Sequence, residues 1–396
     1  MGRVEKDSSV PALRMIHDGV MMMNGFVKKG SNARRTQPAT RDRQRTVPGK
    51  GEVMAELLPT ELIGSYALPS WLCIALEHHA DLGELDLCES LDDAVRLAVL
   101  DQQSAGLDVI TDGEMRRRDF IQSFYGRLTG LRTLAPKRRF GAAGYDQNPR
   151  HEVIDKITAP TGLGIVEELV FLKATTKRPI KVCVPGPMTL ALPLQIKNGY
   201  PSEDELLEDI SRIVNAEMKA LVAAGAESLQ IDEPRYATSG ENVKRLVELF
   251  NRTREGVAAR VGLHLCFGNF KGRSRDRRDY AQLFPSLLEA NCDQFNLEFA
   301  NREFSQIELL RLFRPEQKIG VGVIDVKSYF VETPEEVAAA IRCALQYAPA
   351  ESLVITTDCG LNHCPRHVAF RKIQSLAAGA SLVRREIEGR HAESKP

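Results

Sequence analysis

Residues 228–266 read SLQIDEPRYATSGENVKRLVELFNRTREGVAARVGLHLC. A short, mostly apolar run, Ser228–Asp232, leads into a polar turn. A longer segment, Val243–Arg260, follows with apolar residues at i, i+3 and i+4, and a second apolar run spans Val261–Cys266. Short continuous apolar runs suit parallel strands covered on both faces, and the intervening period suits a helix. This is a strand–helix–strand unit, and each strand ends in groups that can do chemistry: Asp232-Glu233-Pro234 after the first, His264-x-Cys266 in the second.

The same alternation extends in both directions. Eight strands are expected at Leu62–Tyr66, Asp108–Thr111, Ile180–Val184, Ser228–Asp232, Val261–Cys266, Gln294–Glu298, Lys318–Ile324 and Leu353–Thr357. Helices are expected at Asp92–Ala105, Glu203–Ala224, Val243–Arg260, Thr333–Tyr347 and Pro365–Ala378, with helix-start signals at Pro201-Ser202-Glu203 and Thr333-Pro334-Glu335-Glu336. Eight strands alternating with helices predict an α/β fold, a single (β/α)8 TIM-type barrel over residues 54–385. Arg116–Lys177 is long for one crossover and is expected to be an insertion or elaborated loop over the barrel mouth. An open doubly wound sheet is the structural alternative, and no Gly-x-Gly-x-x-Gly follows the first strand to favour it.

Composition narrows the function. The chain has 396 residues, 43% of them hydrophobic, enough for a full core. No apolar stretch approaches the roughly 20 residues that cross a bilayer, so no membrane association is expected. Charge is unevenly placed. Residues 1–50 hold 11 Lys+Arg against 4 Asp+Glu, and the remainder carries a net −7, which offers no footprint for nucleic acid. Residues 1–53 are expected to be a disordered basic extension, or to precede a true start at Met54, and residues 386–396 a disordered tail. Eight scattered cysteines without a secretory signal point to reduced thiols and a cytoplasmic protein.

Nearly every expected strand ends in a polar group or a tight Gly/Pro turn, and in a barrel those ends share one rim. Four of these groups, His264, Cys266, Glu298 and Cys359, offer two thiolates, an imidazole and a carboxylate, a donor set suited to tetrahedral Zn²⁺. Each alone has an ordinary explanation, since buried free cysteine behaves as a small hydrophobe and a lone glutamate pairs with arginine. Their positions on the fifth, sixth and eighth strands favour the shared ion, and the i, i+2 spacing of His264 and Cys266 puts both on one side of a strand. Cys364, His367 and His363 also have metal-like spacing, but Pro365 accounts for that stretch as a helix start. The carboxylates Glu114, Asp232, Glu233 and Asp325 are candidates to bind an ammonium group or carry protons. The run Arg116-Arg117-Arg118 is either a solvated face or a contact for an anionic substrate.

The motifs IGSY (63–66), DGEMRRRDF (112–120), VPGPMTL (184–190), QIDEP (230–234), HLCFGNF (264–270), NLE (296–298), GVIDVKS (322–328) and TDCGL (357–361) together resemble the catalytic domain of the cobalamin-independent methionine synthase family. That family shares a superfamily with uroporphyrinogen decarboxylase. The likeness covers about residues 60–380 and implies a (β/α)8 barrel that transfers a methyl group to homocysteine. It implies His264, Cys266, Glu298 and Cys359 as zinc ligands, and Ile63, Ser65, Glu114 and Asp232 around the amino and carboxylate groups of homocysteine. The partners implied are a small-molecule thiol and a methyl donor, methylfolate or another.

Two positions depart from the family pattern. Lys327 stands where the family's usual proton-donating histidine falls, and the only tryptophan, Trp71, lies outside VPGPMTLAL. Lys327 or Asp325 is therefore the expected acid for the leaving group. The departures keep a second zinc-dependent thiol alkylation in view, epoxide opening by coenzyme M. A barrel that binds without catalysing is the reading from another class.

Overall fold

Short β-branched runs such as VGVI in 321–324 and LVITT in 353–357 pair side by side, as expected of strands buried on both faces. In the computed structural model, which describes residues 57–78, 81–137, 149–237, 242–269 and 278–393, ten strands form two sheets. In chain order they are β1 (Thr60–Glu61), β2 (Thr129–Leu134), β3 (Arg150–Thr158), β4 (Val182–Pro185), β5 (Leu194–Ile196), β6 (Ser228–Asp232), β7 (Arg260–Leu265), β8 (Gln294–Leu297), β9 (Lys318–Ile324) and β10 (Leu353–Thr357). The expected extension 1–53 and most of the KRRFGAAGYDQ piece lie outside the described residues.

The larger sheet is all parallel, in the order β1-β10-β9-β8-β7-β6-β4. Its two edges meet through the segment around Val109 and Ile110, which makes one parallel bridge to Glu61 and one to Ile180. This segment fills the eighth position and closes the ring, so the expected barrel is the fold. Long helices follow the strands on the outside, among them Glu84–Ala105, Glu203–Ala223 and Arg366–Glu393. Their inner faces bury Val95, Ala98, Leu206, Ile210 and Val214. Helix starts obey the local chemistry. Ser202 accepts from the Glu205 amide, and Thr333 and Glu336 cap each other reciprocally ahead of Pro334.

Several boundaries differ from the sequence expectation. The first strand pairs only at Thr60–Glu61, because the apolar stretch after it leaves the sheet to reach the rim. There Gly64 lies so close to Glu114 and Cys183 that no side chain would fit. The helix expected over 243–260 stops at Thr253. The last helix continues to Glu393, where a disordered tail from 386 was expected; its run of Arg, Glu and Ala residues favours helix throughout. The insertion is more ordered than a loop. β2 and β3 form an antiparallel ribbon, and β5, from beyond β4, adds to it in parallel.

Inside the barrel the packing is polar rather than aliphatic. Lys181 Nζ donates to Glu61 (2.7 Å), Gln294 donates to both Glu61 and Asn296, Asn296 donates to Gln230, and Gln230 donates to Asp232 (2.7 Å). Each group in this chain is satisfied by the next, which is the condition for burying it. Glycines on the facing strands make the room. A Cβ at Gly320 would overlap Asn296 Oδ1, and one at Gly322 would overlap Asp358 Oδ1. Gly320→Ala should therefore destabilise the fold by about 1–3 kcal/mol through overpacking. Denaturant unfolding would read this as a lowered midpoint with an unchanged slope, and an unmoved midpoint would contradict the packing described.

Candidate metal centre and its cavity

β7 ends at Leu265, between His264 within the strand and Cys266 just beyond it, and β10 ends two residues before Cys359. Parallel neighbours in register bring these ends to one rim. The ligating atoms of His264, Cys266 and Cys359 all lie within 4.8 Å of one another, and the two sulfurs are 3.6 Å apart. His264 Nδ1 donates to Asp232 Oδ1 at 2.8 Å, across the β6–β7 register pair Asp232–His264. That bond fixes the tautomer and leaves Nε2 as the free ring nitrogen. Nε2 is buried and turned toward the two sulfurs. Two sulfurs and one imidazole in one buried cluster fit a thiophilic metal ion.

Without an ion the cluster rearranges its protons. The hydrogen bond from the Cys266 thiol holds the Cys359 sulfur well below the usual thiol range, against burial and with help from His264. That same bond, with burial, pushes Cys266 well up. Burial disfavours a charged His264, yet Asp232 and the sulfur of Cys359 outweigh it and raise the imidazole to about 10. Metal binding must displace these protons.

Glu298 is not part of the cluster. Its carboxylate sits just beyond, accepting from the Phe267 amide (3.3 Å) and paired with Lys327 Nζ at 2.5 Å. Burial would lower the Lys327 pKa, but Glu298 more than compensates and raises it. Asp325 is not brought to the site. Its oxygens accept from the Lys327 amide and the Asn301 side chain, which shapes the loop after β9. Glu233 is likewise structural, holding the amides of Met188 and Thr189 at the start of the short helix 187–191. Among the near misses, Cys364 faces the Val326 carbonyl and His363 lines the cavity described next.

A cavity of about 430 Å³ opens from the sulfurs. Ile63, Ser65, Glu114 and Asp232 line it together with His264, Cys266 and Cys359, so the residues expected around an amino acid and those expected around a metal share one space. Glu114 is buried, with a left-handed backbone (φ 56°) that a non-glycine residue adopts only when its surroundings enforce it. Burial pushes its carboxyl up to about 8, against the pull of Arg117 3.3 Å away. Asp232 and Cys183 complete a second buried group around it.

Sequence reasoning missed Arg117, which was read as part of a basic run. Arg116 pairs with Asp92 on the outside, whereas Arg117 turns inward to Glu168 (2.8 Å), Glu114 and the Cys183 carbonyl. It also missed the outer wall, where Arg150, His151, Leu194 and Gln195 of the three-stranded sheet line the cavity beside Tyr125. Only the tertiary docking of β3 and β5 reveals them.

The family model for the cobalamin-independent synthase catalytic domain matches residues 58–381. The chain belongs to the cobalamin-independent methionine synthase family. Methionine synthases of Sulfurisphaera tokodaii and Saccharolobus solfataricus are 35% and 36% identical to it, each alignment covering 84% of this chain and 95% and 96% of theirs. A B12-independent methionine synthase from Shewanella sp. W3-18-1, solved in complex with selenomethionine, superposes with a TM-score of 0.73 at 31% identity, over 84% of this chain and 99% of that one. A putative vitamin-B12-independent methionine synthase from Listeria monocytogenes shares the fold at 22% identity (TM-score 0.63, 83% and 98% covered). Among the described residues, no helix is long and apolar enough to cross a membrane.

The depressed Cys359 has a direct consequence in the metal-free protein. At a pH of about 6.5, where an ordinary thiol is about 1% ionised, Cys359 should react with iodoacetamide at least about tenfold faster than Cys343. Added metal should abolish that advantage. Peptide mapping by mass spectrometry reads both rates, and equal rates would contradict the thiolate at 359.

Proposed function

We propose that this protein methylates the thiol of homocysteine to give methionine, with a zinc ion held by His264, Cys266 and Cys359 and with Glu298, just beyond them, as the fourth donor. The observation that carries this reading is the convergence of the His264 ring and two sulfurs, within 4.8 Å of one another, at the base of a cavity that also holds two carboxylates. Family membership supports the reaction class, and the free thiols of all eight cysteines fit a reducing compartment such as the cytoplasm.

When bound, zinc in this donor set supplies the Lewis acidity that lowers a substrate thiol's pKa from about 8.5 and keeps the sulfur anionic at neutral pH. The chain's own groups do the rest. Glu114 and Asp232 offer carboxylates for the substrate ammonium, and the rim backbone at Ile63–Ser65 closes over the same end of the cavity. Arg117, tied to Glu168, fixes Glu114 in its left-handed turn. The cavity wall built by β3 and β5 encloses the donor side and limits water. A C–S bond forms at the substrate sulfur as the donor's bond to the methyl carbon breaks. The donor leaves with that electron pair and takes up a proton, for which Lys327 Nζ, held protonated by Glu298, is the candidate source outside the cavity lining. The resemblance favours methylfolate as donor. Trp71, on the helix 70–77, is not among the cavity residues, so the outer wall offers Tyr125 and His151 in place of an indole.

Cys266→Ser and Cys359→Ser should each remove bound zinc and homocysteine methylation together, with circular dichroism unchanged. Full zinc content and activity in both variants would sink the assignment. Parallel assays with methylfolate, with methylcobalamin and with coenzyme M plus a small epoxide identify the donor, and turnover is expected with homocysteine as the thiol. Glu114→Gln should raise the KM for homocysteine about 10- to 100-fold, the worth of a charge-assisted hydrogen bond, while kcat changes much less. An unchanged KM would remove Glu114 from the ammonium site.

A further inference from the structure

Two neighbouring polar side chains on the buried face of the helix Glu84–Ala105 reach the loops of the barrel rim. Gln102 holds Thr111 from both sides, donating to its carbonyl (2.8 Å) and accepting from its amide (3.0 Å), just ahead of the turn that carries Glu114. Asp101, buried beside it, accepts from Tyr66 Oη at 3.0 Å and from Arg366 Nε and Nη2 at 2.8 and 2.6 Å. Tyr66 closes the loop after β1 that contains Ile63 and Ser65. Arg366 opens the last helix, and the loop leading into it contains Cys359. One carboxylate thus grips the outer ends of both loops.

Their inner parts touch at the cavity. The Leu361 amide donates to the Ser65 carbonyl at 2.8 Å, and a Cβ on Gly360 would stand 1.9 Å from Ser65 Oγ. The Tyr66 amide donates to the Gly113 carbonyl (3.0 Å), which joins the Glu114 turn to the same assembly. Ser65, Cys359 and Gly360 line the cavity, whereas Tyr66, Asp101 and Arg366 do not. Register pairing between β1 and β10 covers only Thr60–Ile355 and Glu61–Thr356, below the point where the loops meet. A fork of charge-assisted bonds from Arg366 and a phenol bond from Tyr66 are directional enough to fix what they join.

We propose that Asp101 is a positioning residue. By clamping Tyr66 to Arg366 it fixes the distance from the rim at Ile63–Ser65 to Cys359, and with it the span between the polar end of the substrate and the metal that takes its sulfur. This rests on the reading of the cavity as a homocysteine site with Cys359 as a zinc donor. A substrate held at both ends is sensitive to that span, and a thiol held only by its sulfur is not.

The test uses the full chain with cobalt(II) in the metal site, whose visible spectrum reports a thiol at the ion. Homocysteine and 2-mercaptoethanol are titrated into wild type, Tyr66→Phe, Asp101→Asn, Arg366→Met and the double variant Tyr66→Phe/Arg366→Met. Each variant should lose about tenfold of homocysteine's advantage over 2-mercaptoethanol. Affinities for 2-mercaptoethanol and for the metal should stay within about twofold of wild type. Because the carboxylate acts by holding both arms at once, severing both should be no worse than severing one. Hydrogen exchange at the Leu361 amide, followed by mass spectrometry, should be about tenfold faster in every variant. Tyr66→Phe keeps the ring in its packing and carries the comparison if another variant does not fold. Wild-type exchange in Tyr66→Phe would overturn the clamp. Faster exchange with an intact homocysteine advantage, additive losses in the double variant, or loss of the metal would each reduce Asp101 to a structural role and overturn the proposal. No homocysteine advantage in wild type, with faster exchange in Tyr66→Phe, would instead overturn the homocysteine reading and leave the clamp between the loops standing.

Discussion

The hydrogen bond between His264 Nδ1 and Asp232 Oδ1 ties together three parts of the molecule that would otherwise be independent. Toward the rim it turns Nε2 to the two sulfurs. Sideways it places the Asp232 carboxylate beside Glu114 and Cys183 in the wall of the cavity. Downward it continues through Gln230, Asn296, Gln294, Glu61 and Lys181 into the barrel interior. An isolated buried carboxylate would be expensive, and the amide chain below is what makes it tolerable. The polar interior of the barrel is thus the support of the metal centre, and the glycines at 320 and 322 are part of that support because they leave space for it.

Much of this was legible in the sequence, for reasons that differ by residue. β6, β9 and β10 begin and end where their apolar runs do, because a parallel strand covered on both faces leaves no ambiguity about its extent. His264, Cys266 and Cys359 were legible because strand ends in such a barrel converge and because their donor types match one ion. The pairing of Glu298 was not. The lysine that pairs with it comes from the loop after the following strand, and no local pattern links the two. Arg117 was hidden for a related reason: three consecutive arginines look alike in sequence, and only the packing of Glu168 from the helix 165–175 selects the middle one.

The insertion marks the clearest limit of periodicity as a guide. Residues 129–134 and 150–158 alternate weakly and pair only with each other and with the three residues of β5, which lie on the far side of a barrel strand. No local pattern announces a sheet whose third strand comes from another loop. Yet this small sheet supplies Arg150, His151, Leu194 and Gln195 to the cavity. This outer wall of the cavity is built from the segment least predictable from the chain, in keeping with the general placement of specificity on elaborated loops over a constant frame.

The ring of strands is not equally strong all the way round. Between β1 and β4 it is closed by Val109 and Ile110 through one bridge on each side, whereas β7 shares five register pairs with β6 and four with β8. Thermal opening of the cylinder would start at this seam. The chain leaving the seam leads within four residues to Glu114, while the sulfurs and the imidazole are carried by better-paired strands. Breathing of the barrel would therefore loosen the segment that carries Glu114 before the strand ends that carry His264 and Cys266, a mechanical asymmetry between the two sides of one cavity.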